Sequence, residues 1–131
     1  MRALARALLD QTIVRPSFEA ALLAREASSP TGLPLEGRKV ALPHADPEHV
    51  LAPAVALCTL AQPVLFREMG APERELQVEL VALLALPDHE SAQRELVALL
   101  SRFQDPAFVD RLCASPDADH LFSLVQGGVS P

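Results

Sequence analysis

The order of apolar segments along this chain predicts an α/β (α+β) fold, a mixed β-sheet of about four to five strands flanked by helices. Three observations predict it. Two helix-period patterns open the chain, at 2–9 and from Phe18 onward. Short apolar runs at 39–42, 53–60 and 76–86 follow, each bounded by Pro, Gly or polar residues, as strands are. Helix-period patterns with clear start signals then close the chain from Ser91. The 131 residues are half apolar and 21% charged, an ordinary globular composition. One domain is expected over 1–131, with its core over 17–126.

Each element has its own warrant. Arg2 to Leu9 carries Leu4, Ala7 and Leu8 at helical spacing. Gln11 to Arg15 reads as a link. Ser17 is a good N-cap for a second helix, whose Phe18, Ala21, Leu22 and Arg25 share one face. Pro30 disfavours helix at the residue before it, so that helix ends near Ser28. Residues 28–38 are a loop broken by Pro30, Gly32, Pro34 and Gly37.

Lys39 to Leu42 is a short strand. Pro43 stops it, because proline has no N–H for a ladder bond. Asp46-Pro47-Glu48-His49 is a turn. Pro53 to Leu60 is apolar on both faces and therefore expected to be central. Pro63 to Phe66 is a short edge strand, Met69 to Arg74 a loop, and Leu76 to Leu86 a third long strand. Ser91 begins a helix striped by Leu96, Val97, Leu99, Leu100 and Phe103. Asp105-Pro106 is an N-cap followed by proline at the first helical position, ahead of Phe108, Val109, Leu112 and Cys113. Ser115 to Asp117 starts a last helix carrying Leu121, Phe122 and Val125, with Gly127 as its stop.

Several functions are excluded by composition. The net charge is −6, Trp and Tyr are absent, and no basic run exists, which argues against nucleic-acid binding. The longest apolar run, Leu80 to Leu86, falls well short of the roughly 18 to 20 residues of a membrane span. The N-terminal stretch interleaves Arg2 and Arg6 with apolar residues and has no sustained apolar core, so no signal peptide or membrane insertion is expected, and a cytoplasmic location is. Cys58 and Cys113 lack metal-ligand spacing and are expected to be buried free thiols.

His44 is the candidate reactive residue. It follows the strand–proline stop, which places its ring at a strand mouth where a partner can reach it. Histidine is a neutral nucleophile near pH 7 without a large pKa shift, suited to carrying a phosphoryl group. The bland alternative is a histidine in a surface turn. A metal site built from His44, Asp46 and His49, with His89 as a further ligand, is a second alternative, but it fits no standard zinc template. No glycine-rich phosphate loop is present, so any phosphate must come from another phosphorylated group rather than from bound ATP. Neither a cofactor nor a metal is expected.

An ordered set of motifs carries a family resemblance. Arg25-Glu-Ala-Ser-Ser-Pro-Thr-Gly32, then Val40-Ala-Leu-Pro-His44, resembles the IIA component of the bacterial phosphoenolpyruvate:sugar phosphotransferase system, in its fructose/mannitol superfamily. Pro43 to His49, Gln62 to Phe66 and Asp105 to Phe108 look most like the galactitol-type branch. The resemblance covers about Phe18 to Val125.

The resemblance implies a phosphotransferase component with a phosphohistidine intermediate. A histidine-containing phosphocarrier protein would donate its phosphoryl group to Nε2 of His44, which would pass it to a cysteine of a IIB component serving sugar transport. Arg25 matches the family's arginine and would clamp phosphoryl oxygens. The second histidine of mannitol and fructose members is replaced by Gln93, which would offer an amide N–H, and His49 would supply the missing imidazole. His89 is expected in a surface loop. The extra N-terminal segment common in the family is not seen, which would expose a sheet edge and favour a homodimer. The alternative within the superfamily is a regulatory protein of the nitrogen-related type, whose phosphorylation state controls partners.

Overall fold

The computed structural model describes residues 1–115. Two helices, α1 (Arg2–Asp10) and α2 (Phe18–Ser28), lead into β1 (Gly32–Leu33) and β2 (Lys39–Ala41). A single 3-10 turn spans Pro47–His49. Then come β3 (Ala54–Glu68), β4 (Ala71–Ala85), α3 (His89–Phe103) and α4 (Pro106–Cys113). The fold is α+β with one mixed sheet of four strands, as the sequence predicts.

β4 is the spine of that sheet. It pairs antiparallel with β3 on one side and parallel with β2 on the other. β1 pairs antiparallel with β2 and meets the far end of β3 at Gly32 and Glu68, which closes the order β1-β2-β4-β3 on itself. Gly32 is needed at that closure, since a Cβ there would lie 2.6 Å from the Arg67 carbonyl oxygen.

The alternation of a strand turns β4 into a two-sided core. Leu80, Ala82, Leu84 and Leu86 pack against Leu99, Phe103, Phe108, Val109 and Leu112 of α3 and α4. Leu83 and Ala85 face the other way, onto Ala5, Leu8, Phe18 and Leu22 of α1 and α2. Phe18 and Leu22 are fully buried, each contributing about 2 kcal/mol by removal of apolar surface from water. The Asp105 cap is formed as expected, its Oδ1 accepting from the Ala107 N–H.

The strands depart from the sequence expectation in three ways. The two segments at 53–60 and 63–66 are one strand, β3, because residues 60–63 form a bulge opposite Glu79 that absorbs Pro63 without a ladder bond. The expected loop at 69–74 shrinks to a Met69–Gly70 turn, with Gly70 at φ +80, and Pro72 to Arg74 bulge outward within β4. β3 is not central: along Ala54 to Arg67 it has β4 on one side and no other strand among the described residues, and Val55, Val64 and Leu65 are exposed. Only part of it is covered by helices: Leu57 packs toward the α3–α4 cluster, and Ala54 and Ala56 toward the α1–α2 cluster.

Smaller corrections follow the same pattern. β1 lies within the expected loop at 28–38, since two residues pairing with β2 leave little sequence signal. The link after α1 pairs at Val14 with Val50, and the Arg15 N–H donates to the His49 carbonyl at 2.9 Å. Cys58 and Cys113 are free but only half-buried, because β3 and the end of α4 lie near the surface. The expected helix from Ser115 lies outside the described residues.

Candidate functional site

His44 sits one residue past Pro43, where β2 has ended but the chain is still held to the sheet. The Leu84 N–H donates to the Pro43 carbonyl at 3.0 Å, and His44 bridges Leu84 in parallel sense. This fixes the backbone under a half-buried imidazole. The ring itself is fixed by a second contact, Nδ1 to the Leu42 carbonyl oxygen at 2.9 Å. A carbonyl only accepts, so Nδ1 must carry the proton. Nε2 is then the ring atom with a free lone pair, the atom a nucleophile needs.

A cleft of about 300 Å³ opens beside this ring. Arg25 of α2, Asp46 and Pro47 form part of its wall, Leu84 and Leu86 its apolar floor, and His89, Gln93 and Leu96 of α3 the facing side. Arg25 Nη1 donates to Asp46 Oδ1 at 3.0 Å, and its Nε is buried without a hydrogen-bond partner. The amino end of α3 borders the cleft, and the positive end of the helix dipole favours an anion there.

Three of the four residues singled out in the sequence, His44, Arg25 and Gln93, therefore line one cleft. His49 does not. Its Nδ1 pairs with Ser17 Oγ at 2.8 Å and its Nε2 lies 3.6 Å from Glu48, so it staples the start of α2 to the 3-10 turn. This also corrects the expectation for Ser17, which stands at the N-cap position but makes no capping bond. The loop expectation for His89 is corrected too. It is the first residue of α3, one turn before Gln93, and spacing of four residues puts both on the cleft side. That spacing is visible in the sequence, but Ser91 reads there as the helix start, two residues later than the observed His89.

Behind the cleft, Glu26 accepts the Thr31 N–H at 2.8 Å and the Thr31 hydroxyl at 2.6 Å. Burial pushes its carboxyl above the usual carboxylate range, while the Thr31 bonds and the nearby His44 pull it back. No three His, Cys, Asp or Glu side chains among the described residues converge as a metal site. Of the metal set considered from sequence, Asp46 is paired with Arg25 and His49 with Ser17.

Sequence and structure comparisons point to one family of known proteins. A model of the family described as "Phosphoenolpyruvate-dependent sugar phosphotransferase system, EIIA 2" matches residues 1–127. The galactitol-specific EIIA component of the phosphotransferase system of Escherichia coli K12 is 29% identical over 110 residues, covering 84% of this chain and 73% of that protein. The crystal structure of IIA mannitol from Escherichia coli superposes with a TM-score of 0.70 at 25% identity, over 95% of this chain and 84% of that one. A complex of enzyme IIAMTL with phosphorylated enzyme IIBMTL from Escherichia coli gives a TM-score of 0.73 at 26% identity, over 96% and 84%.

Proposed function

Because this chain belongs to the EIIA 2 family of the phosphoenolpyruvate-dependent sugar phosphotransferase system, we propose that His44 is its phosphoryl-carrying residue and that it works in the galactitol manner. The observation that carries this reading is the bond from Nδ1 of His44 to the Leu42 carbonyl, which leaves Nε2 as the nucleophilic nitrogen beside the cleft.

The chemistry is a pair of displacements. A phosphohistidine of a histidine-containing phosphocarrier protein supplies the group: its P–N bond breaks as a new P–N bond forms at Nε2 of His44. The proton on Nδ1 stays where the Leu42 carbonyl holds it. A cysteine thiolate of a IIB component then attacks phosphorus, forming P–S and returning His44 to the neutral ring. Such transfers depend on positioning and on donors that meet charge on the phosphoryl oxygens. Arg25 is the cationic donor, with a buried Nε–H still unused. Gln93 offers amide N–H groups from α3, and His89, one turn earlier, is the imidazole on that wall in place of His49. The sugar need not touch this chain.

No described helix is long and apolar enough to cross a membrane, in keeping with a partner that meets its carriers in the cytoplasm. The exposed stretch of β3 supports pairing of two copies as a homodimer.

The test is direct. Mix the protein with phosphoenolpyruvate and the general carrier proteins and measure its intact mass. A gain of one phosphate, mapped to the peptide holding His44 and lost in acid but not alkali, is expected. No gain, or a phosphate on a carboxylate, overturns the reading.

A further inference from the structure

Glu26 does not line the His44 cleft. It lines a second cavity of about 310 Å³, together with Leu23, Leu60, Phe66 and Arg67, yet a continuous set of bonds ties it to the reactive ring. We infer that Glu26, through Thr31 and Leu42, is a positioning residue for the His44 imidazole. The inference rests on the reading of His44 as phosphoryl acceptor.

The connection can be followed atom by atom. Both carboxylate oxygens of Glu26 are engaged by one residue, Thr31, through its N–H at 2.8 Å and its hydroxyl at 2.6 Å. Bonds to a charged acceptor are roughly twice as strong as neutral ones, and two of them fix both position and direction. Thr31 is 3% exposed and is followed by Gly32, which is wedged against the Arg67 carbonyl. The Thr31 carbonyl accepts the Leu42 N–H at 3.3 Å, one residue beyond the end of β2. The Leu42 carbonyl in turn receives Nδ1 of His44 at 2.9 Å. That N–H to O contact selects the tautomer and sets the plane of the ring. Displacing Thr31 therefore moves the one carbonyl that orients His44.

Charge works in the same direction. When Nε2 takes a phosphoryl group while Nδ1 keeps its proton, the ring becomes transiently cationic. Glu26 interacts electrostatically with His44, and its negative charge favours that state. Arg25, Asp46 and His89 are the other charged or titratable groups at the cleft.

The experiment uses Glu26→Gln, Thr31→Val and Thr31→Ser in the full chain, with nitrogen NMR of the His44 ring and kinetics of acceptance from the phosphorylated carrier. Glu26→Gln and Thr31→Val are expected to move His44 from the Nδ1–H tautomer toward a mixture. They should lower the maximal acceptance rate about ten-fold, leaving KM for the carrier within about two-fold, because the ring is misaimed rather than the partner lost. Thr31→Ser should restore both readouts. A folded Glu26→Gln or Thr31→Val protein with the parent tautomer overturns the inference, whatever its rate. Should one of these two fail to fold, the other decides. If the parent protein accepts no phosphate at all, the functional reading fails, while the ring tautomer still decides whether Glu26 positions His44.

Discussion

Arg25 and Asp46, twenty-one residues apart, are joined across the mouth of the His44 cleft by an ion pair of 3.0 Å. Both side chains are substantially exposed, at 40% and 56%, so the pair contributes at most about 1 kcal/mol to stability. Its consequence is geometric: it holds the guanidinium at the cleft while leaving the buried Nε–H unused. Replacing Arg25 with Ala should slow phosphoryl acceptance by about ten- to a hundred-fold, the scale of losing one donor to developing charge. Stopped transfer assays with labelled carrier would measure it, and an unchanged rate would leave Arg25 with a structural role alone.

His44→Ala should abolish acceptance with little change in melting temperature. The ring is half-buried, and its backbone is held by Pro43 and Leu84, not by the imidazole. Intact mass after incubation with the phosphorylated carrier, alongside a thermal melt, checks both halves.

His49 and His89 should separate cleanly. His49→Ala removes the bond to Ser17 and is expected to cost about 1 kcal/mol of stability while acceptance proceeds at the parent rate. His89→Ala should leave stability near the parent value, since the residue is exposed, and slow transfer. Urea unfolding and transfer rates on the same two variants would expose a reversed assignment.

Glu26 gives the protein a pH signature. Burial raises its pKa in the folded state, so folding favours the protonated carboxyl. The associated stability is fully present below the unfolded value of about 4.3 and is lost as pH rises through the folded value. Melting temperature should therefore carry a component that declines over this range, and Glu26→Gln should flatten it. Thermal melts at several pH values compare the two proteins, and parallel curves would contradict the assignment.

The cap on α4 is a further check on local structure. Asp105→Ala removes the acceptor of the Ala107 N–H and should cost about 1 kcal/mol, read from urea unfolding.

Local chemistry determined much of this protein. The Pro43 stop put His44 at a strand end, Asp105-Pro106 started α4, and the apolar stripes of α1, α2 and α3 named Leu8, Phe18, Leu22, Leu99 and Phe103 of the core, although Ala7 and Val97 of those stripes are exposed and Ala5 is buried instead. The ordered motifs, Arg25 to Gly32, Val40 to His49, Gln62 to Phe66 and Asp105 to Phe108, were enough to resemble a family. Tertiary structure alone decided the rest. Pro63 and Pro72 looked like breaks and are bulges, since a long antiparallel partner can bridge a missing N–H that an isolated segment cannot. β4, not β3, is the spine, because pairing across the chain, not apolarity, fixes strand order. His49 is nearer to His44 in sequence than His89 is, yet lies outside the cleft that His89 lines. Sequence separation says nothing about which side of a sheet a turn delivers a side chain to, and the Ser17–His49 bond and the α3 start decide it.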